Sequence, residues 1–128
     1  EEHRIGLLGL ALRCASWGLR PVLLGARTPP HAVRHAVELI SPAVVALSVS
    51  VPPEPARARE LIVEYASACK PVPWIVGGRG AAALELPVRS HGGRLDPNSA
   101  EELEAFIRDA ADQAQKKPSP SRKARKRA

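Results

Sequence analysis

The sequence predicts an α/β fold on a mainly parallel sheet, and three observations carry that prediction. Short apolar runs suited to buried strands alternate with longer stretches of helical period. The run AVVALSVS (43–50) is apolar and β-branched without polar alternation, as expected of a central parallel strand covered on both faces. Right-handed crossovers between such strands give a flavodoxin-like (Rossmann-like) doubly wound sheet inside a three-layer sandwich. With 128 residues and 45% hydrophobic content, the chain suffices for one domain with a single core.

The elements follow in order. RIGLLGLALRCASWG (4–18) repeats apolar residues at helical spacing and stops at Gly18, a helix-ending signal. PVLLG (21–25) is a short apolar run closed by glycine, a buried strand. Thr28 is placed to cap a helix with Pro29 and Pro30 in its first turn, running to residue 40. After the strand at 43–50 and the break VPPEP, a helix is expected from about Ala56 to Ala68. VPWIV (72–76) is the next strand, GGRGAAAL turns into a short helical segment, and LPVRS (86–90) reads as a weak strand. Ser99 opens the last helix, with Glu102 placed for a capping box. A helix opening at residue 3 or 4 in such a fold ordinarily follows a strand. The first strand is therefore expected to be truncated, which would expose the flank of its neighbour.

The net charge of +6 is unevenly distributed. Residues 116–128, KKPSPSRKARKRA, hold seven Lys or Arg and no acid, so residues 1–115 carry one net negative charge. The expected organisation is a domain over 1–115 and a disordered basic tail over 116–128. That tail would either add salt-sensitive, nonspecific attraction to nucleic acid or simply aid solubility. No apolar run is long enough to cross a membrane. Cys14 and Cys69 fall inside helical apolar patterns and fit neither a metal spacing nor a disulfide framework, so a reducing, cytoplasmic setting is the simplest reading.

In open parallel sheets ligands bind beyond the carboxyl ends of the strands. Three loops are expected there: the one carrying His3, the one after 45–50, and the one at Gly77–Gly78. No expected strand ends in Asp, and the first Asp of the chain is Asp96, which removes a phospho-acceptor receiver. GGRGAA matches G-x-G-x-x-A in outline, but it follows a late strand and no acid ends the next one, which argues against a dinucleotide cofactor. His31 and His35 have the i, i+4 spacing of a metal pair without a third ligand, and solvated helix histidines explain them better. His91 reads as a loop residue beside Gly92 and Gly93, and the cysteines read as small core hydrophobes. His3 stands apart: Glu1 can take the second ring N–H of a metal-bound imidazole, and Gly6, one turn on, removes a side chain that would crowd a bulky ligand.

EEHRIG, then LSVS, then VGGRG resemble the E/D-x-H-x-x-G, S-x-L/V and GG signatures of cobalamin-binding domains, in the family's order and at the expected strand ends. The resemblance covers roughly residues 1–110. EEHRIGLLGLALRCASWGLRPVLLGARTP is most similar to the cobalamin domain of CarH-type, MerR-related, light-sensing transcriptional repressors. The resemblance implies His3 as the lower axial ligand to cobalt, Glu1 as its hydrogen-bonding partner and Gly6 as clearance. It implies Ser48 as a hydrogen-bond partner of the displaced benzimidazole tail, Val49 and Ser50 along the slot, and Gly77 and Gly78 letting the tail lie against the backbone. Arg79 would meet the tail's phosphate. Ser50 departs from the Leu or Val of the family pattern. The implied cofactor is cobalamin, as adenosylcobalamin, with methylcobalamin the alternative. The implied role is a non-enzymatic sensory domain, with DNA bound through an N-terminal domain not in this sequence and homo-oligomerisation allowed. The alternative implied by the same module is a corrinoid carrier of a cobalamin-dependent methyltransferase.

Overall fold

The computed structural model describes residues 2–25 and 27–116, and of residues 2–6 the backbone only. The order is α1 (Glu2–Ser16), α2 (Pro30–Ile40), β1 (Val45–Ser48), α3 (Pro55–Cys69), β2 (Trp74–Gly77), a 3-10 turn (Ala81–Leu84), α4 (Glu85–Ser90), β3 (Arg94–Leu95) and α5 (Ala100–Lys116). The three strands are parallel in the order β1-β2-β3, with Val45 opposite Trp74, Ser48 opposite Gly77, and Val76 opposite Leu95.

Alternation along the strands sorts the core into two layers. On one face Trp74 and Val76 pack with Val33 and Val37 of α2, Ala58, Ile62 and Ala66 of α3 and Val88 of α4, joined by the half-buried Val45, Leu47 and Val49. On the other face Ile75 packs with Leu103 and Ile107 of α5 and with Leu10, Cys14 and Trp17 around α1. With α2, α3 and α4 on one side and α1 and α5 on the other, the sheet is doubly wound, as expected of a flavodoxin-like three-layer sandwich.

Local chemistry sets the helix ends. α1 closes in a Schellman arrangement: Leu19 N–H donates to Cys14 O (2.9 Å) and Gly18 N–H to Ala15 O (3.0 Å), with Gly18 at φ +82°. α2 begins at Pro30 behind Pro29, whose extended backbone stands in for a cap. Thr28, expected as that cap, instead donates its hydroxyl to Gly25 O (3.1 Å), and its own carbonyl accepts from the Tyr65 hydroxyl (2.6 Å), which fastens the start of α2 to α3. Glu54 caps α3 by accepting Ala56 N–H. Ser99 Oγ accepts Glu102 N–H (3.4 Å) ahead of α5, which bears out the cap read from the sequence.

Two expected strands are absent. Residues 21–25 lie outside the sheet, with Val22, Leu23 and Leu24 at least half exposed. Among the described residues, β1 pairs only with β2. Residues 86–90 belong to α4: Glu85 and Arg89 pair one turn apart (3.0 Å), Pro87 stands in the first turn where no intrahelical N–H is needed, and Val88 is completely buried. The third strand lies later, at Arg94–Leu95. The basic tail over 117–128 lies outside the described residues.

Ile62→Ala should cost about 2–5 kcal/mol of unfolding free energy by urea denaturation, whereas Leu86→Ala, at 80% exposed, should stay within about 0.5 kcal/mol. Burial pushes the Cys69 thiol up to about 11 from an ordinary 9.0. The folded state thus favours the neutral thiol. Its contribution to stability should be complete below pH 9 and fall away as pH rises from 9 towards 11, an effect that Cys69→Ala should remove.

Candidate functional site

Parallel register brings the strand ends level. Ser48 at the end of β1 stands opposite Gly77 at the end of β2, and Asp96 N–H donates to Val76 O (2.9 Å), which sets Asp96 directly beyond β3. A cavity of about 540 Å³ opens over these ends. Its walls are Leu7, Gly9, Leu10 and Arg13 of α1, Ala46, Leu47, Ser48 and Ser50 along and after β1, Ile75, Gly77, Gly78 and Arg79 along and after β2, and Asp96 and Leu103. The size suits a small-molecule ligand, and an apolar body with a few convergent polar groups is the usual composition of such a site.

Five residues singled out in the sequence therefore meet at one cavity: Ser48, Ser50, Gly77, Gly78 and Arg79. Val49, expected along the slot, packs its side chain on the α2–α3–α4 side of the sheet, because alternation turns it away from its two serine neighbours. His3 and Gly6 lie in the first turns of α1. The helical period puts positions 3 and 6 on the same side of α1 as Leu7, Gly9, Leu10 and Arg13, which line the cavity. Glu1 lies outside the described residues.

The glycines are explained by packing between loops. Gly78 has φ +101°, and a Cβ there would fall 2.3 Å from Val49 O. Val49 N–H donates to Gly77 O (2.9 Å) and Gly80 N–H to Val49 O (2.9 Å), so the loops leaving β1 and β2 are bonded to each other at the rim. A Cβ on Gly77 would lie 3.4 Å from both the Cβ and Oδ2 of Asp96. The Asp96 carboxylate thus rests over the bare backbone of Gly77.

Asp96 and Arg13 are the charged lining residues that the sequence reading did not assign to the site. None of the strands ends in Asp, but Asp96 follows β3 directly and was missed because the third strand was expected at 86–90 instead of 94–95. The signal was in GGRLDPNS, where a glycine pair precedes a short strand and Asp-Pro-Asn-Ser leads into a capped helix. With one carboxylate among the described lining residues, the acidic pocket of a phospho-acceptor receiver is still not formed.

The other sequence candidates lie elsewhere. His31 and His35 are exposed on α2, and His91 Nδ1 lies 2.8 Å from Pro87 O at the end of α4. Cys69 is fully buried and Cys14 half-buried in the α1–α5 layer, as their reading as small hydrophobes requires. Among the described residues no three His, Cys, Asp or Glu side chains gather as a metal site, and no helix is long and apolar enough to cross a membrane.

The chain is similar to the HTH-type transcriptional repressor CarA of Myxococcus xanthus, with 35% identity over 106 residues, 83% of this chain and 36% of that protein. It is also similar to the HTH-type transcriptional repressor CarH of the same organism, with 48% identity over 48 residues, 38% of this chain and 16% of that protein. The chain thus spans about a third of the first relative and about a sixth of the second. Both are named as transcriptional repressors and neither as an enzyme. No protein-family model matches the chain, and no solved structure matches it with significance.

Gly78→Ala should lose several kcal/mol of stability, because its Cβ meets fixed backbone. Gly92→Ala, also at positive φ (+86°) but with nothing within 4 Å, should lose only about 1–2 kcal/mol. Urea midpoints of the two variants test the interlock against a purely conformational cost.

Proposed function

We propose that this chain is the cobalamin-binding sensory domain of a MerR-related transcriptional regulator, holding adenosylcobalamin with its benzimidazole off the cobalt and His3 on it. The observation that carries this reading is the cavity at the strand ends. It gathers both serines of LSVS and the glycines and arginine of VGGRG, and the cavity-lining side of α1 holds positions 3 and 6 of EEHRIG. Its residues suit the nucleotide limb of the cofactor. Leu10, Ile75 and Leu103 offer apolar wall to a flat aromatic base, the two serine hydroxyls can meet polar edges, and Arg13 and Arg79 supply positive charge for a phosphodiester. Similarity to two repressors favours a regulatory role over methyl-group carriage.

When bound, adenosylcobalamin would supply a cobalt–carbon bond that light can break. The chain's own work is to bind and orient. His3 contributes a ring nitrogen as axial ligand, and Glu1 takes the other ring N–H, which fixes the tautomer and raises the basicity of the ligating nitrogen. Gly6 leaves room beside the imidazole. The domain does no chemistry on a substrate. DNA contact, in this reading, belongs to an N-terminal domain outside residues 1–128, the setting is cytoplasmic, and response to the signal involves association between copies.

Titration with adenosylcobalamin in the dark tests the ligand assignment. The unsubstituted protein should hold the cofactor in a red, nitrogen-ligated form. His3→Ala should leave any bound cofactor yellow, as expected of cobalt without a lower nitrogen, and Glu1→Ala should weaken binding about tenfold or more. A His3→Ala complex with unchanged colour and affinity would refute the assignment.

A further inference from the structure

We propose that Asp96 is a specificity residue of this site, its carboxylate accepting a hydrogen bond from a hydroxyl of the cofactor's nucleotide limb. The inference rests on the cobalamin reading above and adds to it a contact that none of the three sequence signatures contains. Asp96 stands immediately beyond β3 and lines the cavity beside Gly77, Gly78 and Arg79. One carboxylate oxygen, Oδ1, accepts Asn98 N–H at 3.0 Å, which fixes the plane of the group. The other, Oδ2, lies 3.4 Å from where a Gly77 Cβ would be, over the end of β2. An alanine at position 77 would thus crowd the carboxylate at the close edge of van der Waals contact.

The chemistry of the lining sorts the parts of a nucleotide. A carboxylate accepts hydrogen bonds and cannot donate them, so it repels a phosphate and selects a donor. Arg13 and Arg79 carry the opposite preference. A limb with a phosphodiester, a ribose and an apolar base offers both partners, and the ribose hydroxyl is its donor. A ligand lacking that sugar gives Asp96 nothing to bind, and its carboxylate would then lose water without compensation.

The test compares cobalamin with cobinamide, the corrinoid that lacks the nucleotide, by equilibrium titration of the whole chain and of Asp96→Ala and Asp96→Asn. Asp96→Ala should weaken cobalamin binding about tenfold or more and leave cobinamide binding unchanged. Asp96→Asn, which keeps an acceptor for Asn98 N–H, should retain the unsubstituted melting temperature and lose a smaller factor for cobalamin alone. Equal cobalamin affinity in all three proteins, or equal losses for both ligands, would overturn the inference and leave the cobalamin reading standing. Cobinamide bound as tightly as cobalamin by the unsubstituted protein would also overturn it, because the nucleotide limb would then contribute nothing. Binding of neither corrinoid would overturn both readings.

Discussion

The site depends on one close approach, that of the Gly78 backbone to the carbonyl of Val49. The separation is too small for any Cβ at position 78, and the hydrogen bonds Val49 N–H to Gly77 O and Gly80 N–H to Val49 O hold it on either side. Two neighbouring parallel strands thereby leave the sheet as a bonded pair of loops. The groups that the strand ends present to a ligand are fixed relative to that junction. Ser48 and Ser50 flank Val49, Gly77 and Arg79 flank Gly78, and Asp96 lies against Gly77 from the third strand. A site assembled on strand ends and one rigid junction holds its polar groups more sharply than one carried on long loops.

Much of this was legible because it is written in local chemistry. The unbroken β-branched run at 43–50 announced a strand covered on both faces, and β1 lies within it with both core layers against its sides. Gly18 ended α1 and Ser99 capped α5 through signals confined to a few residues. The serines and glycines of the site could be found because short residues at strand ends are where a parallel sheet receives ligands. The expectation about the glycines was incomplete. They were read as making room for a ligand, and at Gly78 the backbone of Val49 already takes the space.

What was misread depended on tertiary partners. LPVRS contains a valine and a leucine at strand spacing, but the Glu85–Arg89 pair and the place for Val88 in the core under α3 and α4 favour a helix, and propensity yields to packing. PVLLG has the composition of a buried strand, yet a strand needs a hydrogen-bonded neighbour, and none of the described strands pairs with it. The error at 86–90 displaced the third strand by several residues and so hid Asp96. One wrong element boundary thus removed a carboxylate from the expected site.

The layout of the domain suits the sensory role proposed for it. Among the described residues its buried core holds no polar or charged side chain, and the strand ends bring serine, arginine and aspartate side chains to one cavity. The two repressors it resembles are longer than the aligned region, so output through DNA would belong to other parts of such proteins. The central claim, that a histidine of this chain replaces benzimidazole on cobalt, is most directly tested by electron paramagnetic resonance of the bound cobalt(II) form, using protein grown with 15N-histidine. The account predicts that each cobalt line splits into a doublet from a 15N axial ligand. A triplet, the mark of a 14N ligand such as the cofactor's own base, would contradict it.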